Sequence, residues 1–113
     1  MDDYYITTII HKYEADLQKV KKYGYALQFI KEQTYELCLE AVKTSGCACA
    51  LKYVKEQTPE ICLASVKNSG CALEYVKEQT PELCWEAVKE HGWALQYVAN
   101  SLIKAQIKLE LQL

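Results

Sequence analysis

The stretch from Gly70 to His91, GCALEYVKEQTPELCWEAVKEH, decides the fold because the chain repeats it. Gly46 to Ser69 reads GCACALKYVKEQTPEICLASVKNS, and Gly24 to Ser45 reads GYALQFIKEQTYELCLEAVKTS. Self-similarity at a period of 22 to 24 residues is typical of one supersecondary unit that stacks on copies of itself. The repeat therefore predicts a solenoid whose layers are built alike.

The second half of each unit carries the signals of a helix start. In the segment 80–82, Thr-Pro-Glu, threonine is a favoured N-cap, proline suits the first helical position, and glutamate lies near the positive end of the helix dipole. Apolar residues then recur with the period of an α-helix, at Leu83, Cys84, Ala87 and Val88. We expect this helix to end near Glu90, with Gly92 in the left-handed conformation that closes it.

The first half of each unit predicts a second, shorter helix, beginning at Ala72 and at the equivalent Ala94. Its buried edge is Ala72, Leu73 and Val76, and the segment 77–79, Lys-Glu-Gln, is a polar exit towards the next cap. Helices this short need neighbours to persist. We therefore predict an all-α fold, a short α-solenoid of stacked two-helix repeats of about 22–24 residues with divergent capping ends. Two buried columns should run along it, formed by Leu27, Leu51, Leu73 and Leu95 and by Val42, Val66 and Val88.

We interpret residues 1–113 as a single domain. It comprises an N-terminal cap, three repeats, and a partial repeat with a C-terminal cap, at residues 1–23, 24–45, 46–69, 70–91 and 92–113. We interpret residues Ile9 to Tyr23 as a degenerate copy of the longer helix. The tail IKAQIKLELQL fits either a strand or a helix, and we favour a helix that covers the open end. If its apolar residues are exposed, they form a dimerisation or docking edge.

Two copies depart locally from the repeat. The middle copy carries two extra residues, Cys47 and Ala48, which should enlarge one loop without shifting the apolar stripe. The first copy has Tyr35 where the others have proline, but it keeps Thr34 as the cap.

Composition argues against a membrane span and against nucleic acid as the main partner. Half of the residues are apolar, yet no run of about 18 could cross a bilayer, and the first residues resemble neither a secretory signal nor a transit peptide. We expect a cytoplasmic protein, in the host cytoplasm if the source is viral or an injected effector. The chain has 13 lysines and no arginine against 15 acids, whereas nucleic-acid binders gather positive charge.

The residues that recur in the copies resemble a known repeat family. The shared pattern combines Ala-Leu, an aromatic residue, Val-Lys, Gln-Thr-Pro-Glu, Leu-Cys and Ala-Val-Lys, and it covers Gly24 to Val98. This pattern resembles the domain of unknown function numbered 4116, which occurs in tandem in bacterial and large-virus proteins. The resemblance implies a helical array, supplies no catalytic residues, and favours a role in host–microbe or viral interaction.

The six cysteines fall into two groups. One group occupies the same place in the apolar stripe of successive repeats, at Cys38, Cys62 and Cys84. Because packed helices lie roughly 9–10 Å apart and a disulfide needs Cα atoms within about 7 Å, we expect this ladder to stay reduced. The other group lies near the turns, at Cys47, Cys49 and Cys71, and permits a thiol or metal sensor. No fourth ligand is evident, so we predict neither a metal nor a cofactor.

Aromatic and variable positions give the candidate surface. Four aromatic residues align and are more readily explained by packing: Phe29, Tyr53, Tyr75 and Tyr97. Repeat proteins place recognition in positions that vary on a constant framework. Such positions are Gln28, Lys52, Glu74 and Gln96 on the shorter helix and Glu40, Ala64 and Glu86 on the longer one. Trp85 and Trp93 depart from the repeat, and tryptophan is a common interface anchor. We therefore predict partner binding by Trp85, Trp93, Gln28, Lys52, Glu74 and Gln96.

The sequence gives little support for catalysis. His11 and His91 stand apart, no serine or cysteine has a nearby base, and there is no glycine-rich phosphate loop. We predict a non-enzymatic protein-protein interaction module, an adaptor or inhibitor that binds a protein partner through one face of the stack. The alternative is a structural or assembly protein that self-associates into a homo-oligomer through its C-terminal tail.

Overall fold

The computed structural model describes residues 3–44 and 49–112. In chain order they form α1 (Asp3–Lys22), the 3₁₀ helix η1 (Gly24–Phe29), α2 (Tyr35–Thr44), α3 (Cys49–Lys52), α4 (Pro59–Asn68), the 3₁₀ helix η2 (Gly70–Tyr75), α5 (Pro81–Glu90), the 3₁₀ helix η3 (Gly92–Tyr97) and α6 (Ser101–Leu111). No strand occurs in these two ranges, which confirms the all-α prediction. The two extra residues Cys47 and Ala48 lie outside the described residues.

The helices form two layers. The long helices α1, α2, α4 and α5 pack in sequence against one another, and α6 packs on α5. The short helices η1, α3, η2 and η3 pack in the same order beside them. We call each long helix, together with the short helix that follows it, a tier. Stacking in one direction gives an elongated body with principal extents of 62 × 23 × 16 Å, which confirms the α-solenoid.

Threonine caps begin the repeated long helices as the sequence predicts. The Oγ1 atoms of Thr34, Thr58 and Thr80 accept the backbone N–H three residues later, each at 3.2 Å. Proline follows the cap in α4 and α5, where its missing N–H costs no hydrogen bond. Thr34 caps α2 equally well, so the exchange of proline for Tyr35 leaves the helix start intact.

The predicted left-handed closure at Gly92 is wrong. The last turn of α5 ends at His91, an extended residue with φ −143° and ψ 109°, whose N–H donates to the Ala87 carbonyl. The chain then enters η3 directly, and the N–H of Ala94 donates to the His91 carbonyl at 2.9 Å. No described glycine has a positive φ. An extended residue, rather than a glycine, stops the helix.

Three of the four short helices differ from the predicted α-helix in type, because η1, η2 and η3 are 3₁₀ helices whereas α3 is α-helical. The starts differ as well, since η2 and η3 begin at Gly70 and Gly92 rather than at the alanines. In a 3₁₀ helix, side chains three residues apart lie on one side. Leu73 and the cap residue Val76 have this spacing, and both are buried. Their spacing therefore suits the tighter helix.

The core follows the two predicted columns. Leu27, Leu51 and Leu73 are fully buried, and the valines of the second column, Val42, Val66 and Val88, are buried as well. Leu95 is only half-buried because no further tier of long and short helix follows it. Phe29 was expected to pack with the aligned tyrosines, but it is 78% exposed. It belongs to the first short helix, so it has no preceding short helix to pack against.

Both ends are helical. The helix α1 is longer than the predicted copy at residues 9–23, and it buries Val20 completely. The tail forms α6, capped by Asn100, whose Oδ1 accepts the N–H groups of Leu102 and Ile103. Because residues Ser101–Leu111 are α-helical, the helix interpretation of the tail is confirmed and the strand alternative is wrong. Ile107 is its buried residue. No helix within the described ranges is long and apolar enough to cross a membrane.

Candidate interaction surface

Five of the predicted partner-binding residues lie on the short helices. We call this set the short-helix row: Gln28, Lys52, Glu74, Trp93 and Gln96. All five are exposed. Four of them directly follow the column leucine of their short helix, so the same side of each short helix faces solvent: Gln28, Lys52, Glu74 and Gln96. Trp93 precedes Gln96 by three residues, which places both on one side of η3.

Trp93 forms the aromatic part of the row. Its ring is stacked on His91, with centroids 5.1 Å apart, and meets the ring of Tyr97 edge-on at 6.5 Å. The side chain is nevertheless 49% exposed. An aromatic residue held by two neighbours presents a large contact area with little rotational freedom left to lose on binding.

Tyr97 lies against the short helix of the preceding tier. Burial raises the pKa of Tyr97 above its ordinary value, and nearby Glu74 raises it further because a second negative charge is unfavourable there. Cys71 and Tyr75 act in the same sense. These neighbours belong to η2, so Tyr97 connects η3 to the short helix before it.

Trp85 does not belong to the short-helix row. It lies on α5, half-buried, where it lines a groove against α6 together with Glu82. The equivalent residues Leu39 and Leu63 are half-buried on α2 and α4. The structure therefore divides the six predicted residues between two places: five on the short helices and one in the α5–α6 groove.

A repeated glutamine is the feature that the sequence interpretation missed. The Nε2 group of Gln57 donates to the carbonyls of Leu51, at 3.4 Å, and Tyr75, at 2.8 Å. Its Oε1 accepts the N–H of Lys77 at 3.0 Å and the thiol of Cys62 at 3.7 Å. Leu51 belongs to the same tier as Gln57, whereas the other three partners belong to the next tier. We call this arrangement a glutamine clamp.

The same clamp occurs at each of the other two tier junctions. Gln33 joins Leu27 to Tyr53, Lys55 and Cys38. Gln79 joins Leu73 to Tyr97, Ala99 and Cys84. Both donors and both acceptor positions of each amide are used, which fixes its orientation. The predicted polar exit 77–79 is therefore wrong for its last residue, because Gln79 is half-buried and structural.

The cysteine ladder is buried, as the sequence predicts. Cys38, Cys62 and Cys84 are free thiols, each at most 4% exposed. Burial raises the pKa of all three thiols because the thiolate would lose its hydration. Each thiol also donates to a clamp glutamine. A thiol kept protonated and buried is a poor nucleophile, so this ladder has a packing role.

For the other cysteines, the thiol or metal sensor stays a lesser alternative that the structure does not test. Cys71 is a half-buried free thiol. Cys47 and the side chain of Cys49 lie outside what the structure describes. Within residues 3–44 and 49–112, no group of three or more His, Cys, Asp or Glu side chains is placed to hold a metal ion.

Comparison with known proteins adds the family. Searches of curated proteins and of solved structures give no match. A family model described as a domain of unknown function, DUF4116, matches residues 34–81. This range runs from the Thr34 cap to the first residue of α5, and it contains the whole Gln57 clamp and the residue Gln79. The segment 34–81 is therefore similar to the DUF4116 family, and the resemblance read from the repeated residues is confirmed.

Proposed function

We propose that this chain is a non-enzymatic protein-interaction module, an adaptor or inhibitor, that binds a protein partner through the short-helix row. One observation carries the proposal. The framework of threonine caps, glutamine clamps and buried leucines is the same from tier to tier, whereas the row positions change. Gln28, Lys52, Glu74 and Gln96 occupy equivalent exposed places but differ in charge. Recognition in solenoid proteins uses such varying positions on a constant scaffold.

The chemistry of the row suits a protein surface. It offers one cation, one anion and two amides along an elongated body, and Trp93 provides an aromatic anchor at one end. The formal charge of −2 and the absence of arginine favour a protein over a nucleic acid. A cytoplasmic location, in a host if the source is viral or an injected effector, belongs to the same proposal.

Affinity capture with matched variants tests the proposal. The full chain is immobilised, and proteins bound from an extract of the native cell are quantified by mass spectrometry. We expect Lys52→Ala/Glu74→Ala/Trp93→Ala to lose a protein that the unmodified chain retains. The control Lys43→Ala/Lys67→Ala/Lys89→Ala changes exposed lysines on the long helices and should retain it. Equal loss with both variants, or none with either, contradicts binding through the row.

Self-association is the second candidate function, favoured by the outer side of α6. Leu102 is 80% exposed and Leu109 is 79% exposed. Large apolar side chains that are exposed on one helix, as on α6, are typical of an association surface. Size-exclusion chromatography with light scattering should then show an oligomer that Leu102→Ser/Leu109→Ser converts to monomer. A monomer at all concentrations contradicts self-association and leaves the first proposal standing.

A further inference from the structure

The groove between α5 and α6 has a composition of its own. Its volume is about 240 Å³, with Glu82 and Trp85 on the α5 side and Ile103, Gln106 and Glu110 on the α6 side. Small-molecule sites usually occupy about 300–1,000 Å³, so this groove is small for a metabolite. Its size suits a single side chain of a bound protein.

The electrostatics distinguish this groove from its equivalents along the stack. In the groove between α4 and α5, Lys77 lies with Glu78 and Glu82. In the groove between α2 and α4, two lysines accompany two glutamates. No lysine lines the α5–α6 groove. Lys104 and Lys108 follow its two isoleucines by one residue each, so they lie about 100° further round α6.

The two carboxylates of the α5–α6 groove lack cationic partners. Neither Glu82 nor Glu110 forms an ion pair within the described ranges. By contrast, Glu86, on the same helix as Glu82, pairs with Lys89 at 3.8 Å. A groove that holds two carboxylates without ion-pair partners in the described ranges attracts positive charge, and a purely aliphatic occupant would remove them from water without compensation.

Trp85 adds a second recognition element to the same groove. Leucine occupies the equivalent position in the two preceding repeats, so the scaffold does not require an indole there. The ring faces of tryptophan attract lysine and arginine cations. The methylene stem of such a side chain would lie along Ile103 while its charged end reaches the carboxylates.

We propose that the α5–α6 groove receives a lysine or arginine side chain of the protein partner, held between Trp85 and the carboxylates of Glu82 and Glu110. This inference rests on the proposed function, because it assumes a protein partner. The groove is then a second contact, separate from the short-helix row, and it gives the partner a required basic residue.

A direct binding experiment uses the full chain with Trp93→Phe, so that Trp85 is the only remaining tryptophan. The probe is the blocked tripeptide acetyl-Gly-Arg-Gly-amide, and the comparison probe carries uncharged citrulline instead of arginine. We expect the arginine probe to shift Trp85 fluorescence and its indole NMR signal saturably, at least about tenfold more tightly than citrulline. The affinity should fall as salt is added, because the groove charges are accessible to solvent.

Matched variants decide between the groove and general charge. Glu82→Gln/Glu110→Gln should weaken the arginine probe at least about tenfold, whereas Glu60→Gln, at the equivalent helix position in the preceding repeat, should not. Trp85→Leu restores the residue of the other repeats and should also weaken the probe in the NMR titration. No saturable shift, equal binding of citrulline, or equal loss with Glu60→Gln overturns the proposal.

The outcome is separable from that of the proposed function. Loss of the partner on changing the short-helix row, with no arginine binding in the groove, refutes only the groove. Arginine binding without a partner captured through the row refutes the row and keeps the groove.

Discussion

The interior of the stack and its two ends are held by different kinds of contact. Each junction between successive tiers combines buried leucine and valine with a glutamine clamp of four hydrogen bonds, as at Gln57. At the C-terminal end, α6 packs on α5 through Ile103 and Ile107 without a clamp. At the N-terminal end, the Gln33 clamp reaches η1 but not α1, which contributes Val20 and a hydrogen bond from Tyr13 to Glu36.

This difference teaches which part of the molecule is rigid. Hydrogen bonds from one side chain to the backbone of two tiers fix both their spacing and their register, whereas apolar packing alone tolerates sliding. Exposure follows the same division, because Tyr4, Leu102 and Leu109 at the ends are each about 80% exposed. Segments with few buried contacts open at low free-energy cost. We therefore expect the ends to open before the clamped interior.

The largest expected effect comes from the central leucine column. Leu73→Ala removes a fully buried side chain between two neighbouring tiers and should lower the free energy of unfolding by about 2–5 kcal/mol. Leu95→Ala is the matched change at the half-buried end of the column and should cost less, about 1–2 kcal/mol. Urea unfolding followed by circular dichroism measures both. Equal losses would contradict the distinction between interior and end.

A clamp variant tests the polar half of the comparison. Gln57→Ala leaves the Tyr75 carbonyl and the Lys77 N–H without their partner and should cost about 1–3 kcal/mol. Gln96→Ala removes an exposed glutamine from η3 and should change stability by less than about 0.5 kcal/mol. The same urea experiment applies. A neutral Gln57→Ala would show that packing alone sets the tier spacing.

Two equivalent glycines sharpen the comparison further. A Cβ added at Gly70 would lie 2.9 Å from His91 Cδ2 and 3.2 Å from the Ala87 carbonyl oxygen, so Gly70→Ala should destabilise by about 1–3 kcal/mol. At Gly92 nothing lies within 4 Å, and no described glycine has a positive φ. Gly92→Ala should therefore be neutral or stabilising by up to about 1 kcal/mol. Thermal unfolding of the two variants side by side checks the sign, and equal destabilisation would contradict it.

The smallest expected effect is a pH dependence at the N-terminal end. The hydrogen bond to Glu36, at 2.6 Å, raises the pKa of Tyr13 above 10.0, so the fold favours the protonated phenol. Its stabilising contribution is present below pH 10.0 and is lost as the pH rises through the pKa of the folded state. Glu36→Gln should lower the pKa of Tyr13, as measured by the ¹³Cζ NMR shift with Tyr13→Phe for assignment. An unchanged titration would contradict the contact.

The sequence predicts the long helices well because their signals are local. The segment 80–82 specifies a cap and a first turn, and the stripe from Leu83 to Val88 specifies a buried side. The clamp is not predictable in this way. Gln79 follows Lys77 and Glu78, which repeat as faithfully and are exposed, so repetition alone does not single out the half-buried residue that forms the clamp.

The candidate surface was predictable in part. The row positions follow from the buried leucines, since they lie directly beside them. The groove at Trp85 depends on where α6 packs. The apolar pattern of the tail is compatible with both a strand and a helix, and in the structure Asn100 caps the helix. The acidic character of the groove arises from Glu82 and Glu110, which are far apart in the chain and line one groove only through tertiary packing.

The clamp also explains how the array is terminated. Gln79 binds the carbonyl of Tyr97 and the N–H of Ala99. After these residues Asn100 caps α6, and Ser101 stands at the position where another clamp glutamine would be needed. The last short helix therefore receives the hydrogen bonds of Gln79, but no clamp glutamine follows it to bind a further tier. Inserting a further copy of residues 70–91 would supply both another clamp glutamine and the backbone groups that it binds. The array should therefore be extended only by whole repeats.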